Sequence, residues 1–298
     1  MEESGKEHCR RPLRWAAAAA VGGVALLGSG CAEPSQAAGL SPASTPTAAS
    51  PSHTLASAPP GTASAPPAST PSPDGTQAAV AQGWGSAIDG DEFNTGSTPD
   101  PARWQIYSSP GNAGQGMRTP SADTIANGVL TIAGNANGDT GGLAANFGRQ
   151  KYGRWEVRMK TSAHDANYHP VVLLWPDSNA SPTCTEVDFA EGTTDTSSIS
   201  FFLHYACTGS TFQTLATQAL DTTQWHDYAV EWTPTAVTGY IDGVPWFRDT
   251  AHVPHESMHL TLQLDWFPTG APTAPAQMNI DWVRLYAPAE PPETQHLD

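Results

Sequence analysis

The sequence predicts an all-β domain, a sandwich or barrel of antiparallel strands. Three observations carry this. Short runs rich in β-branched, aromatic and alternating residues recur through the second two thirds of the chain. Turn residues separate them, among them Asp242-Gly243, a strong hairpin signal. No long stretch shows helical periodicity, and many short strands without helices must bury their apolar faces sheet on sheet. The runs lie at residues 128–132, 154–160, 171–175, 199–205, 227–232, 237–241, 258–264 and 278–286. The run beginning at Met258 alternates cleanly. His259, Thr261, Gln263 and Asp265 share one face, and Leu260, Leu262 and Leu264 the other. The leucine face is expected to fill an inter-sheet core and the polar face to line a cleft.

The ends of the chain read differently. Lys6, Arg10, Arg11 and Arg14 precede an apolar run at residues 15–27, the pattern of an export signal and too short to span a membrane comfortably. Leu26-Leu27-Gly28-Ser29-Gly30-Cys31 resembles a bacterial lipoprotein processing site, which implies a lipid on Cys31. Gly28 departs from that pattern, and ordinary cleavage with free secretion is the alternative. Residues 32–82 are dominated by Ala, Pro, Ser and Thr, cannot bury enough surface to offset the cost of ordering, and read as an extended tether. Residues 83–288 then form the folded domain, and residues 289–298 a tail.

The chain has 298 residues, a formal net charge of −16 and only 14% charged residues. No basic patch is available to hold phosphates, which excludes nucleic acid as a partner; a neutral polysaccharide is compatible with this charge. Of the four cysteines, Cys9 and Cys31 fall in the leader. Cys184 and Cys207 remain in the folded part and would form a disulfide in an exported protein; two buried free thiols are the alternative.

The chemistry concentrates in Glu186-Val187-Asp188-Phe189-Ala190-Glu191. In a plain strand Glu186 and Asp188 point one way and Glu191 the other. A β-bulge at Phe189-Ala190 would return Glu191 to the first face. Without it Glu191 would enter the core, where an unpaired charge is costly. Crowded carboxylates repel and raise at least one pKa, so a protonated acid can stand beside an ionised neighbour at neutral pH. Retaining glycoside hydrolysis requires that division of labour. A cation site or a solvated strand edge would use the same residue types.

This segment resembles the active-site signature of glycoside hydrolase family 16, in the form with one extra residue. The flanks agree: Asp91-Glu92-Phe93-Asn94, Tyr152-Gly153-Arg154-Trp155-Glu156-Val157-Arg158, Trp225-His226 through Glu231-Trp232-Thr233-Pro234, Tyr240-Ile241-Asp242-Gly243, and Asp281-Trp282-Val283-Arg284-Leu285-Tyr286. The similarity spans about residues 84–287 in the family's order. It narrows the fold to a jelly roll of two curved antiparallel sheets with a cleft on the concave face. It implies a retaining, endo-acting glycosidase, with Glu186 as nucleophile, Glu191 as general acid/base and Asp188 between them; no cofactor is required for catalysis, and a monomer is expected. A β-1,3- or β-1,3-1,4-glucan is the expected substrate. A non-catalytic carbohydrate-binding jelly roll and a wall-polymer transglycosylase are the alternatives.

Further residues follow, His204 and the calcium positions from the resemblance and the others from strand alternation and from the match of an aromatic face to a sugar ring. His204 would face the groove and hydrogen-bond to Glu191, or else sit in the core. Gln263 and Asp265 would meet sugar hydroxyls. Trp266 would stack on a sugar ring, or else pack under a loop; Tyr168 and Trp175 are read in the same way. Family members commonly carry Trp-Pro where this chain has His169-Pro170, with Trp175 displaced. His164, Asp165 and His169 are spaced too irregularly for a metal cluster. Asp281, Gly128 and a carbonyl near Glu92 match a structural calcium site on the convex face.

Overall fold

The computed structural model describes residues 76–179, 185–193, 195–206 and 213–289. A four-residue helix, α1 (Ala78–Ala81), comes first. Eighteen strands follow among the described residues. The first eight are β1 (Asp89–Asp91), β2 (Trp104–Ile106), β3 (Ser109–Pro110), β4 (Met117–Arg118), β5 (Asp123–Ala126), β6 (Val129–Gly134), β7 (Asp139–Thr140) and β8 (Gly142–Ala145). The long strands come next: β9 (Gly153–Thr161), β10 (Tyr168–Pro176), β11 (Glu186–Glu191), β12 (Ser198–His204) and β13 (Gln213–Ala219). The last are β14 (His226–Thr233), β15 (Ala236–Ile241), β16 (Val244–Asp249), β17 (Met258–Trp266) and β18 (Ala276–Tyr286). All eight runs expected from the pattern are strands. β8 gave no such signal, because Gly-Leu-Ala-Ala is buried on both faces and does not alternate.

Two antiparallel sheets carry the fold. One runs β16-β15-β14-β9-β18-β6-β5 with β1 added on β18; the other runs β13-β12-β11-β10-β17-β8-β2. Alternation decides what lies between them. Leu260, Leu262 and Leu264 of β17, Val172 and Leu174 of β10, and Trp155, Val157 and Met159 of β9 belong to one buried cluster. Trp104, Trp155 and Trp232 within it are at most 1% exposed. Truncating any of them to alanine would cost about 3–5 kcal/mol. Asp242-Gly243 forms the expected two-residue hairpin loop between β15 and β16. Both residues have positive φ, 50° and 76°, as a type I′ turn requires.

The outer face of the β9 sheet holds a second, smaller core. α1 and Trp84 pack there against Ala229, Tyr240 and Tyr286. The small side chains of Ala78 and Ala79 let the helix lie close to the sheet. This corrects the tether boundary, since residues 76–82 are folded; their alanine-rich composition conceals it. Beneath the helix lies Glu156, 0% exposed, which accepts the backbone N–H groups of Ala78 at 2.5 Å and Ala79 at 3.3 Å. Burial outweighs these donors and raises its carboxyl from the usual 4.5 to about 7.

A raised carboxyl favours folding only while it is protonated. The Glu156 contribution is intact below about pH 4.5 and falls away as pH rises to about 7, a loss of roughly 3 kcal/mol if the unfolded value is ordinary. Glu156→Gln should remove that slope. Thermal unfolding of both proteins from pH 5 to 8 would show the wild type losing ground to the variant, and parallel curves would mean that Glu156 is not buried as described.

Candidate active site

The site lies on the outer face of the second sheet, where β12, β11, β10 and β17 run side by side. A cavity of about 690 Å³ opens there. Its walls include His169, Val171, Leu173 and Trp175 from β10, Glu186, Asp188 and Glu191 from β11, Phe202 and His204 from β12, and Gln263 and Asp265 from β17.

The register explains how β11 presents three acids to one cleft. Val171, Val172, Leu173 and Leu174 of β10 oppose Glu191, Ala190, Asp188 and Val187, so Phe189 is the extra residue. On the other side Asp188 faces Phe202 and Glu191 faces Ser200, three residues against two. Val187, Phe189 and Ala190 all enter the core at 0% exposure. The bulge therefore sends two successive side chains inward and returns Glu191 to the face of Glu186 and Asp188.

Each acid has a distinct environment. Burial first, then the adjacent Asp188 charge, pushes the Glu186 carboxyl up to about 10. Asp188, 3% exposed, is also raised, by burial and then by Glu191. Two acids raised side by side hold a proton between them at neutral pH. His204 Nε2 lies 3.1 Å from Asp188 Oδ2. Burial lowers its basicity, so it faces Asp188 as a neutral imidazole donating Nε2–H. Glu186, Asp188 and His204 each bring one donor atom to within 4.8 Å of the others. Glu186 and Asp188 are two apart on β11, and His204 is the cross-strand partner of Glu186, which accounts for that closeness.

The expected bond from His204 to Glu191 is not formed. His204 sits opposite Glu186, whereas Glu191 is opposite Ser200, four residues further along β12 and about 13 Å away at strand rise. Glu191 is met from the other side, by His169 Nδ1 at 3.0 Å from Oε1. His169 lies two residues from Val171, the cross-strand partner of Glu191, which is a diagonal within imidazole reach.

The floor is polar, with Gln263 8% and Asp265 4% exposed. Arg118, from β4, forms an ion pair with Asp265 and stacks 5.5 Å from the Tyr107 ring centroid. Burial raises the Asp265 carboxyl against the pull of Arg118. Trp175 lines the cavity and donates Nε1–H to Asn179 Oδ1 at 2.7 Å. Two expected sugar-binding aromatics are not in it. Tyr168 is 0% exposed and donates its hydroxyl to the Asn135 carbonyl at 2.6 Å, because its neighbour His169 takes the cleft side of the strand. Trp266 is held under loops: a Cβ on Gly138 would lie 2.3 Å from its ring, and its Nε1–H goes to Thr273 Oγ1 at 3.0 Å. Phe267, one residue later, and Phe202 are aromatic lining residues the sequence reading missed. Phe202 was findable, since it alternates with His204 on β12. Arg118 and Tyr107 arrive from short segments with no periodic signal.

The side chains at the positions expected to hold calcium make other contacts. Asp281 Oδ2 is 3.4 Å from Arg158 Nε, and Glu92 is held by the Arg284 fork at 2.7 and 3.0 Å. Gly128 is accounted for by its turn, since Asn127 and Gly128 have φ 55° and 76° between β5 and β6. Cys31, Cys184 and Cys207 lie outside the described residues.

The family model for glycosyl hydrolases family 16 matches residues 115–284, more than half of the chain. No curated protein sequence matches. Among solved structures, the laminarinase from Rhodothermus marinus aligns with a TM-score of 0.61 at 22% identity, covering 68% of this chain and 98% of that one. The laminarinase catalytic domain from Thermotoga maritima MSB8 gives 0.60 at 19%, covering 69% and 99%. A prokaryotic β-1,3-1,4-glucanase (lichenase) derived from a mouse hindgut metagenome gives 0.58 at 19%, covering 67% and 99%. These likenesses show the two-sheet jelly roll. The matched segment contains the bulged strand, all three of its acids and the histidines beside them. The chain is a glycoside hydrolase and belongs to glycosyl hydrolase family 16.

Proposed function

We propose that this protein is a retaining endo-β-glucanase that works by double displacement. The carrying observation is the bulge, which aims Glu186, Asp188 and Glu191 into one cleft, Glu186 and Asp188 side by side, both raised by burial, and Glu191 held against His169. Glu191 protonates the departing glycosidic oxygen while Glu186 attacks the anomeric carbon. The C–O bond breaks, a glycosyl ester forms on Glu186, and water then enters with Glu191 as base. Glu186 must be anionic to attack. Asp188 supplies the place for its proton, because its own carboxyl is raised by burial and Glu191. The growing positive charge on the sugar favours that transfer. Glu186 is therefore the nucleophile despite its raised pKa, and no cofactor enters any step.

A β-1,3- or β-1,3-1,4-glucan is the substrate we infer, on two supports. The similar solved structures are laminarinases and a lichenase. The cleft carries four carboxylates and a paired arginine, which suits an uncharged polymer. The basic and apolar leader supports export, with a lipid on Cys31, a bridge between Cys184 and Cys207, and a single copy acting alone at the cell surface.

Purified protein should shorten β-glucan chains internally, seen by sizing products from a panel of polysaccharides. Longer products than the starting chains would instead mark a transglycosylase, and binding without cleavage a lectin-like protein. Glu186→Gln should lower turnover by at least about a thousandfold with the fold intact. Turnover that survives this change would remove the assignment. Glu191→Ala should lose about 10²- to 10⁴-fold on polymer and much less on an aryl glycoside whose leaving group needs no proton. Added azide should restore part of the second step as a glycosyl azide, visible by mass spectrometry.

A further inference from the structure

We propose that His169 is the positioning residue for the acid/base Glu191, holding one carboxyl oxygen so that the other carries the transferable proton. The inference rests on the catalytic reading above. Its ground is geometric. His169 Nδ1 lies 3.0 Å from Glu191 Oε1, and both side chains are only 15% exposed, so bulk water does not compete freely for that bond. The ring is also fixed independently of Glu191. Phe267 lies over it with centroids 4.3 Å apart and planes 33° apart. Pro170 follows in sequence and confines the His169 backbone to extended conformations. The pairing of His169 with Asp265 across β17 sets its register.

The surroundings show why a donor is wanted here. Asp188 and Glu186 stand on the same strand as Glu191. Asp265 faces it from β17, already engaged with Arg118 from β4. His204 on β12 is turned to Asp188, and His164 lies near Gly192, the next residue. Glu191 thus sits among three other acids. Among these groups only His169 makes a hydrogen bond to its carboxyl. With the proton on Nδ1, His169 donates to Oε1. In the first step the other oxygen gives its proton to the leaving sugar oxygen, and the new carboxylate keeps the Nδ1–H bond. In the second it takes a proton from the attacking water. His169 itself gains and loses none.

The test compares wild type, His169→Ala and His169→Asn, whose amide N–H can stand near the Nδ1 position. The substrates are the glucan that the wild type cleaves and a dinitrophenyl glycoside of its product oligosaccharide. His169→Ala should lower kcat on glucan about 10- to 100-fold with little change in KM. The loss in kcat/KM should shrink on the dinitrophenyl substrate, where the first step needs no acid. The alkaline limb of its pH profile should move to higher pH, because losing a donor to a carboxylate favours the protonated acid. His169→Asn should recover most of the rate and all of the thermal stability. An unchanged kcat and pH profile in His169→Ala, or equal losses on both substrates, would overturn the assignment while leaving the catalytic reading intact. A wild type inert on every glucan would remove both.

Discussion

One extra residue in β11 sets the whole site. Side chains on a strand alternate with period two, so a shift of one position exchanges the faces for everything beyond it. Without the bulge, either Phe189 would face water or Glu191 would point between the sheets, where an unpaired charge costs several kcal/mol. With it, Val187, Phe189 and Ala190 all join the core while Glu186, Asp188 and Glu191 all line the cleft. Both neighbouring strands break register at the same place, β10 between Val172 and Leu173 and β12 opposite Asp188 and Glu191. The distortion is thus accommodated by the sheet on both sides. Apolar burial holds the catalytic geometry, since the inward pair could not leave the core without dragging the acids with it.

The same strand arrangement solves an electrostatic problem. Four carboxylates in one cleft would repel if all were ionised and unpartnered. Each has been given a different resolution. Asp265 is paired with Arg118, Asp188 accepts from His204, and Glu191 meets His169. Glu186 shares a proton with Asp188, and burial makes that arrangement favourable. These partners come from four elements: β4, β12, β10 and β11 itself. The acids therefore have different partners because of where the neighbouring strands run, although two of them are chemically identical glutamates.

Legibility in the sequence follows the range of the interactions. Alternation is local, so β17 reads with its leucines inward and Gln263 and Asp265 toward the cleft, and each of those side chains lies there. The bulge was legible because the cost of burying Glu191 is a local argument too. Partner choice is not local. The resemblance pairs His204 with Glu191, and only the register of β11 against both neighbours reveals that His169 is within reach. Tyr168 and Trp266 were misplaced for a related reason: aromatic residues beside a cleft have two faces available, and Gly138 and the Asn135 carbonyl, which claim them, are far away in sequence. The folding of residues 76–82 was hidden because alanine carries no periodic signal, and its use here is to let backbone approach Glu156.

That last contact bears on how the enzyme meets its polymer. α1 and Trp84 pack on the outer face of the β9 sheet, and the cleft opens on the outer face of the other. The two outer faces are separated by the shared core. Thr76 and α1 are consequently held on the side away from the cleft. A weakly held arm would be free to swing toward the cleft, but this one is fixed by an apolar cluster, by two backbone donors on a buried carboxylate, and by the hydroxyl of Thr76 on Asp227 at 2.5 Å. Burying Glu156 costs stability at neutral pH, a cost the fold bears where a neutral side chain would avoid it. A buried acceptor with two oxygens can satisfy two successive N–H groups that an apolar residue would leave unpaired, and leaving them unpaired would cost about as much. The carboxylate is thus consistent with a rigid join between residues 76–84 and the sheet face opposite the cleft.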